Sequence, residues 1–154
     1  NITKGYAGNR KVLINLSYTL NAGEYVAIMG ESGVGKSTLL NLIAGLDSPD
    51  SGEIRINGTA ISSMQDDAAT QLRREQLGFI FQAFHVLPHL TLAQNVALPL
   101  LLNGMATDRV DRMLEQVGLH GRGHHFPRQL SGGELQRVAI ARALIHRPQL
   151  VLSD

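Results

Sequence analysis

Cysteine and tryptophan are absent from this 154-residue sequence, and neither sign of charge is in clear excess. Without cysteine the chain can form neither disulfides nor thiolate metal sites, which suits a reducing compartment. A formal net charge of +1 gives no reason to expect electrostatic binding to nucleic acid or to anionic lipid. Function must therefore be inferred from local motifs.

Long hydrophobic runs are missing as well. The longest apolar run near the middle, Val96 to Leu102, is interrupted by Pro99 and is too short to span a bilayer. No basic-then-apolar signal sequence opens the chain. The length predicts one domain with enough residues for a hydrophobic core, and we expect a soluble, cytoplasmic protein.

The sequence does contain a glycine-rich stretch that fits the phosphate-binding pattern G-x-x-x-x-G-K-[ST]. It consists of Gly30, Glu31, Ser32, Gly33, Val34, Gly35, Lys36, Ser37 and Thr38. The apolar run Tyr25–Met29 before it predicts a buried parallel strand. Apolar residues after it follow helical spacing as far as Gly45, a predicted helix C-cap.

Strand, loop and helix start would together form an anion site. Glycines allow backbone N–H groups to turn inward, and the helix dipole adds partial positive charge. Lys36 would reach the β- and γ-phosphates of a nucleotide, and the Ser37 hydroxyl would bind Mg²⁺. The alternative is a glycine-rich turn that matches a short pattern by chance.

Strand and helix patterns alternate along the rest of the chain, which predicts a mostly parallel α/β core. Thr91 and Gln94 have the spacing of a capping box at the start of one helix. A turn is predicted at Gly8–Asn9. The predicted strands are Ile2–Thr3, Val12–Leu20, Glu53–Asn57, Leu77–Phe81 and Gln149–Leu152, and the predicted helices are Asp66–Gln76, Asp108–Val117 and Ser131–His146, with a further helix from Thr91.

A second motif, LSGGELQRVAIARAL, occupies Leu130–Leu144. Ser131 is a predicted N-cap, and Gly132 and Gly133 permit close approach of another group to the backbone. The helix start therefore offers a second anion site. The alternative is a plain capping box between Ser131 and Glu134. Both interpretations can hold, because capping and phosphate contact use different groups.

With these two motifs the chain resembles the nucleotide-binding domain of ABC transporters. Leu130–Gln136 is similar to the LSGGQ-type signature, with Glu134-Leu135-Gln136 as a variant of its end. The resemblance implies a P-loop NTPase core with a mostly parallel sheet, an antiparallel β part at the N-terminus and an inserted α-helical subdomain at about 83–130, within one partial domain, 1–154. It further implies ATP and Mg²⁺ as cofactors.

The resemblance carries over to three further positions. Tyr6 matches the aromatic residue that stacks on adenine, Gln82 the glutamine that contacts Mg²⁺ and the attacking water, and Asp154 the Walker B aspartate. Taken alone, Tyr6 fits a packing residue better and Gln82 fits a solvent-facing glutamine better. The alternative for Asp154 is a carboxylate at a chain end. The resemblance implies catalysis by Lys36, Gln82 and Asp154, Mg²⁺ binding by Ser37, Gln82 and Asp154, and nucleotide contact by the glycine-rich stretch with Tyr6, Gln82, Ser131, Gly132, Gly133 and Gln136.

The middle of the chain narrows the resemblance to the lipoprotein-releasing and macrolide-export ATPases. The segments similar to that group are Gly78–Gln82, Leu87-Pro88, Leu90-Thr91 and Asn95–Leu100, although Gln94 stands where the group usually has glutamate. The implied function is an ATPase that powers transport or extrusion from the cytoplasmic face of the membrane. Its implied partners are a second ATP-binding subunit, paired head to tail, and transmembrane permease subunits.

One departure concerns the end of the sequence. The family continues past the position of Asp154 with a catalytic glutamate and a switch histidine, so we expect a partial domain. A module that binds Mg-ATP with little hydrolysis stays open as an alternative. A DNA-repair or chromosome ATPase is disfavoured, because the stretch from Ser37 to Leu130 shows no sustained heptads. The His124-His125 pair, with His120 four residues earlier, suggests a metal site, but a solvated loop fits the neighbouring glycines better.

Overall fold

The computed structural model describes residues 1–6 and 10–154, which form two compact units, Asn1–Ala69 and Thr70–Asp154. The turn predicted at Gly8–Asn9 lies outside the described residues. The predictions of a single domain and of a helical subdomain at 83–130 stay predictions. The elements in chain order are β1 (Ile2–Tyr6), β2 (Arg10–Leu16), α1 (Lys36–Ile43), β3 (Arg55–Ile56), β4 (Thr59–Ala60), α2 (Asp66–Gln76), β5 (Leu77–Ile80), α3 (Leu92–Leu102), α4 (Val110–Gln116), α5 (Gly132–Leu144) and β6 (Leu150–Ser153).

The first unit contains the predicted antiparallel β part. β1 pairs antiparallel with β2, and β3 pairs antiparallel with β4. Asn57 and Gly58 both have positive φ, +48° and +80°, as a tight two-residue hairpin turn requires. Two predicted strands are shorter than the patterns indicated: Val12–Leu20 ends as β2 at Leu16, and Glu53–Asn57 is reduced to β3.

The predicted buried strand at Tyr25–Met29 is wrong for this structure. The segment belongs to none of the three sheets, and its side chains are exposed, with Tyr25 at 92% and Met29 at 88%. An apolar run becomes a buried strand only when neighbouring strands supply backbone hydrogen bonds and cover both faces. Tyr25–Met29 has no such partner among the described strands.

The second unit contains the parallel pair of the α/β fold. β5 and β6 run parallel, with Leu77 beside Leu150 and Ile80 beside Ser153. Helix α5 packs closely on β5 at Gly78, where an added Cβ would lie 2.3 Å from the Ala143 carbonyl oxygen. Glycine at this position therefore sets the distance between the helix and the strand.

Helices α3, α4 and α5 share one hydrophobic core. Its fully buried members include Leu92, Leu100, Leu114, Val138 and Ile145. The predicted capping box at the start of α3 is confirmed, with both of its hydrogen bonds present. The helix predicted at Asp108–Val117 forms as α4, and the one predicted at Ser131–His146 forms as α5. In the part of the chain that the structure describes, no helix has the length and apolar character needed to cross a membrane.

His146 is a buried titratable group beside β5. It is 8% exposed, and its Nε2 lies 2.9 Å from the Leu77 carbonyl oxygen. Among the described residues, its Nδ1 has no hydrogen-bond partner. Burial lowers the pKa of His146, an effect that the hydrogen bond with Leu77 opposes. Burial therefore favours the neutral form of this ring in the folded chain.

This burial predicts a pH-dependent stability. Below about pH 6.5 the unfolded chain takes up a proton on His146 that the folded chain resists. The free energy of unfolding should therefore fall as the pH falls, by at most about 1.4 kcal/mol per pH unit for this one proton. Replacing the histidine in His146→Gln should flatten the dependence, as measured by urea unfolding followed by circular dichroism.

The control for this experiment is His120→Gln, because His120 is exposed. The control should keep the pH dependence of the natural chain. A His146→Gln chain that also keeps it would contradict the account, since burial of the ring would then have no effect on protonation.

Candidate nucleotide-binding site

The glycine-rich stretch forms a loop that leads into helix α1. Gly33 and Gly35 have φ values of +78° and +110°, a region that favours glycine. Gly35 is the N-cap of α1, and an added Cβ there would lie 2.5 Å from Cγ1 of Val12. Backbone conformation and close packing thus both require glycine at position 35.

Lys36 crosses the loop from the first position of α1. Its Nζ donates hydrogen bonds to the carbonyl oxygens of Gly30 at 2.8 Å and Glu31 at 2.7 Å. The first turn of α1 contains no acidic residue. The helix dipole and the ammonium group therefore both place positive charge at the start of α1, as an anion site requires.

Tyr6 lies at the end of β1 in the same unit. Half of it is exposed, 49%, and its hydroxyl donates to Oδ2 of Asp47 at 3.1 Å. The interpretation as a buried packing residue is therefore disfavoured. Stacking on adenine stays a prediction, for which the exposed ring is suited.

Gln82 and Asp154 follow neighbouring parallel strands at the same sheet edge. Ile80 and Ser153 are register partners, and the Asp154 N–H donates to the Ile80 carbonyl at 3.0 Å. Both side chains are exposed. The carboxyl edge of parallel strands is where open α/β sheets bind ligands, so their placement suits the predicted roles, which stay predictions.

The turn after Gln82 is held by residues that the sequence did not indicate. Phe84 and His85 both have positive φ, +58° and +45°. Arg142 of α5 donates to their carbonyl oxygens at 2.8 and 2.7 Å. Burial lowers the pKa of the Arg142 guanidinium from its very high usual value. These charge-assisted hydrogen bonds offset the strain of two consecutive left-handed residues.

Asn95 of α3 holds the next part of this turn. It is fully buried, accepts a hydrogen bond from the Leu87 N–H at 2.8 Å and donates to the Leu87 carbonyl at 3.0 Å. Its amide thus replaces a backbone partner for an irregular segment. Asn95 is, apart from the capping residue Gln94, the one polar residue in the apolar sequence of α3, and this is the sequence signal that could have indicated it.

The signature residues lie at the start of α5. Ser131 is the N-cap, and its side chain and that of Glu134 complete a capping box. Hydrogen bonds from the Ser131 backbone and hydroxyl hold the pKa of Glu134 below its usual range. The capping alternative is therefore confirmed, and nucleotide contact by this segment stays a prediction.

The two signature glycines have room around them. An added Cβ at Gly132 or Gly133 would meet nothing within 4 Å, and Gln136 is exposed one turn later. Packing within the described residues therefore does not explain why glycines stand there. Close approach by a group from outside the chain would explain the two glycines.

The donor set predicted for Mg²⁺ consists of the Ser37 hydroxyl, the Gln82 amide and the Asp154 carboxylate. These are hard oxygen ligands of the kind that Mg²⁺ prefers. The loop that contains His120, His124 and His125 gives no such set: in residues 1–6 and 10–154, no three His, Cys, Asp or Glu side chains are grouped to hold a metal ion. The metal-site interpretation of the His124-His125 pair with His120 is thus disfavoured.

A phosphate loop at a helix start and a glycine-containing signature helix, on an α/β fold, define an ATP-binding cassette of the P-loop NTPase class. A sequence model of the ABC transporter family matches residues 13–154. The chain belongs to this family.

Solved structures agree with this assignment. The chain is similar to the ATP-binding cassette MJ0796 in a dimeric post-hydrolysis state bound to ADP and Pi, with 41% identity and a TM-score of 0.90. It is also similar to dimeric MJ0796 described as a bacterial ABC transporter cassette, with 42% identity and a TM-score of 0.87. Each match covers all of this chain and 71% of the other. The P-loop NTPase fold class is thereby confirmed.

The packing of Gly35 predicts the effect of a methyl group. Gly35→Ala should lower the free energy of unfolding by about 2–5 kcal/mol, because a left-handed residue costs about 1–2 kcal/mol and overpacking against Val12 costs about 1–3 kcal/mol. Urea unfolding measures the loss.

Gly23→Ala is the matched control, since Gly23 also has positive φ, +82°, but has nothing within 4 Å of an added Cβ. It should show only the conformational part of the loss. Equal losses in the two variants would contradict the close contact between Gly35 and Val12.

Proposed function

We propose that this chain binds Mg-ATP and hydrolyses it as the ATPase subunit of an ABC transporter. The observation that carries the proposal is the ammonium group of Lys36, 2.8 and 2.7 Å from two loop carbonyls at the start of α1. Phosphoryl transfer needs mainly positioning and charge stabilisation. A fixed cation at a helix N-terminus supplies both for the β- and γ-phosphates.

The other site residues have complementary roles in this proposal. Ser37, Gln82 and Asp154 would hold Mg²⁺, which when bound neutralises charge on the phosphate oxygens. Gln82 also orients the attacking water. Tyr6 stacks on the adenine base.

The signature completes the site from a second copy of the chain. A head-to-tail dimer would bring Ser131, Gly132, Gly133 and Gln136 of one copy over the ATP bound by the other. The open space around both glycines supports this arrangement, and the similar cassette MJ0796 is described as dimeric.

The proposal further includes transmembrane permease subunits as partners, with the chain peripheral on the cytoplasmic face. The exposed turn after Gln82 supports it, because Leu87 is an exposed apolar residue, 46%, close in sequence to a residue that senses the nucleotide. Transport or extrusion is then driven by nucleotide-dependent dimerisation.

Removing the ammonium group tests the phosphate site. Lys36→Ala should weaken ATP binding by about 10- to 100-fold, as expected for a hydrogen bond to a charged group. Isothermal titration of ATP measures it. Lys11→Ala, an exposed lysine of β2, is the control and should bind as the natural chain does. Equal affinity in Lys36→Ala would refute the assignment.

Removing the Gln82 amide tests catalysis separately from binding. Gln82→Ala should reduce kcat on the order of 10²-fold, because a misplaced water costs about that much. KM for ATP should change less, because Ser37 and Asp154 would still hold Mg²⁺. Phosphate release at varied Mg-ATP measures both constants. The control is Gln149→Ala, an exposed glutamine beside the neighbouring strand β6. A chain that binds ATP and shows no hydrolysis would support the binding-module alternative.

A further inference from the structure

A buried lysine in β1, outside the phosphate loop, has an unusual set of contacts. Lys4 is 8% exposed, and its ammonium group donates to Oδ1 of Asp47 at 2.8 Å and to the Ser48 carbonyl at 2.7 Å. Lysine is seldom buried unless it is paired. The hydrogen bond with Asp47 raises the pKa of Lys4 and lowers the pKa of Asp47, so both groups are charged at neutral pH.

The same carboxylate holds the ring of Tyr6. Oδ2 of Asp47 accepts the Tyr6 hydroxyl at 3.1 Å, while the Lys4 ammonium lies 5.3 Å from the ring centroid, within the range of a cation–π interaction. One aspartate thus fixes the cation and the phenol relative to each other. Since Tyr6 is still 49% exposed, its ring is held without being covered.

The loop that carries Asp47 follows directly from helix α1. Thr3 of β1 exchanges backbone hydrogen bonds with Ser51 and Asp50 at 2.9 Å each, and the Gly5 N–H donates to Oδ2 of Asp50 at 2.7 Å. These contacts fasten β1 to the loop that follows α1, a helix that is about 12 Å long. The phosphate loop leads into the other end of that helix. The Tyr6 ring and the anion site are therefore connected through α1 and the loop that follows it.

We propose that Lys4 and Asp47 are positioning residues that hold Tyr6 for the nucleobase. This inference rests on the proposed function, in which the phosphate loop binds the phosphates and Tyr6 the base. Stacking of a base on an aromatic ring contributes about 5- to 100-fold in affinity. That gain is larger when the ring is already fixed, because ordering a mobile side chain on binding costs affinity.

Inorganic triphosphate separates this role from general support of the fold. It offers the phosphates of ATP without a base, so the ratio of the two affinities isolates the contribution of the base. Asp47→Asn keeps the shape of the side chain and removes its charge. It should weaken ATP by about 2- to 10-fold, the effect of one lost hydrogen bond, and leave triphosphate binding unchanged in isothermal titration.

Tyr6→Phe provides a second variant with an intact Lys4–Asp47 pair. It keeps the ring and loses only the hydroxyl, and it should show the same selective loss. The matched control is Asp50→Asn, on the same loop, where the carboxylate binds the Gly5 N–H instead of Tyr6. The control should leave the ratio of the two affinities unchanged.

Several outcomes would overturn the inference. Equal losses for ATP and triphosphate, or no loss of either, would mean that Asp47 supports the fold alone. In a Tyr6→Ala background, Asp47→Asn should have no further effect on ATP, and an additive loss would contradict action through the ring. A natural chain that binds neither ligand contradicts the proposed function itself. A natural chain that binds ATP and triphosphate with equal affinity contradicts only the contact between Tyr6 and the nucleobase.

Discussion

The proposed nucleotide site depends on one interaction, the ammonium group of Lys36 held by the carbonyls of Gly30 and Glu31. An extended lysine would move freely in water, but two short hydrogen bonds fix its charge above the loop. The loop can take this path because Gly35 has positive φ and packs against Val12. The conformation of the glycines, the helix start and the position of the cation therefore depend on one another.

The two predicted anion sites are built differently. The first turn of α1 has no acidic residue and begins with Lys36, whereas the first turn of α5 carries Glu134. Glu134 caps the helix together with Ser131 and keeps its negative charge, since its pKa is lowered. The α5 site is thus less electropositive than the α1 site. This difference suits the proposed dimer, in which α1 binds the phosphates first and α5 closes over them.

Local signals in the sequence predicted much of the fold, and contacts between distant residues explain what it missed. Helix α2, helix α5 and the Ser131 cap follow from periodicity and capping within a few residues. The strand predicted at Tyr25–Met29 is wrong for this structure, because a strand needs neighbouring strands as hydrogen-bond partners and a local apolar run does not reveal them. Arg142 and the Lys4–Asp47 pair were missed because their contacts span 58 and 43 residues. Lys4 shares the buried face of β1 with Ile2, and that alternation was the available signal for a buried charge.

The most direct test of the central claim is a map of backbone amide shifts in the nitrogen-15-labelled chain as Mg-ATP is added. The account predicts the largest changes at the amides of Gly33–Thr38, because their N–H groups would point at the phosphates. A smaller change is predicted at Tyr6. Unchanged amides across Gly33–Thr38, with binding detected elsewhere, would contradict the account.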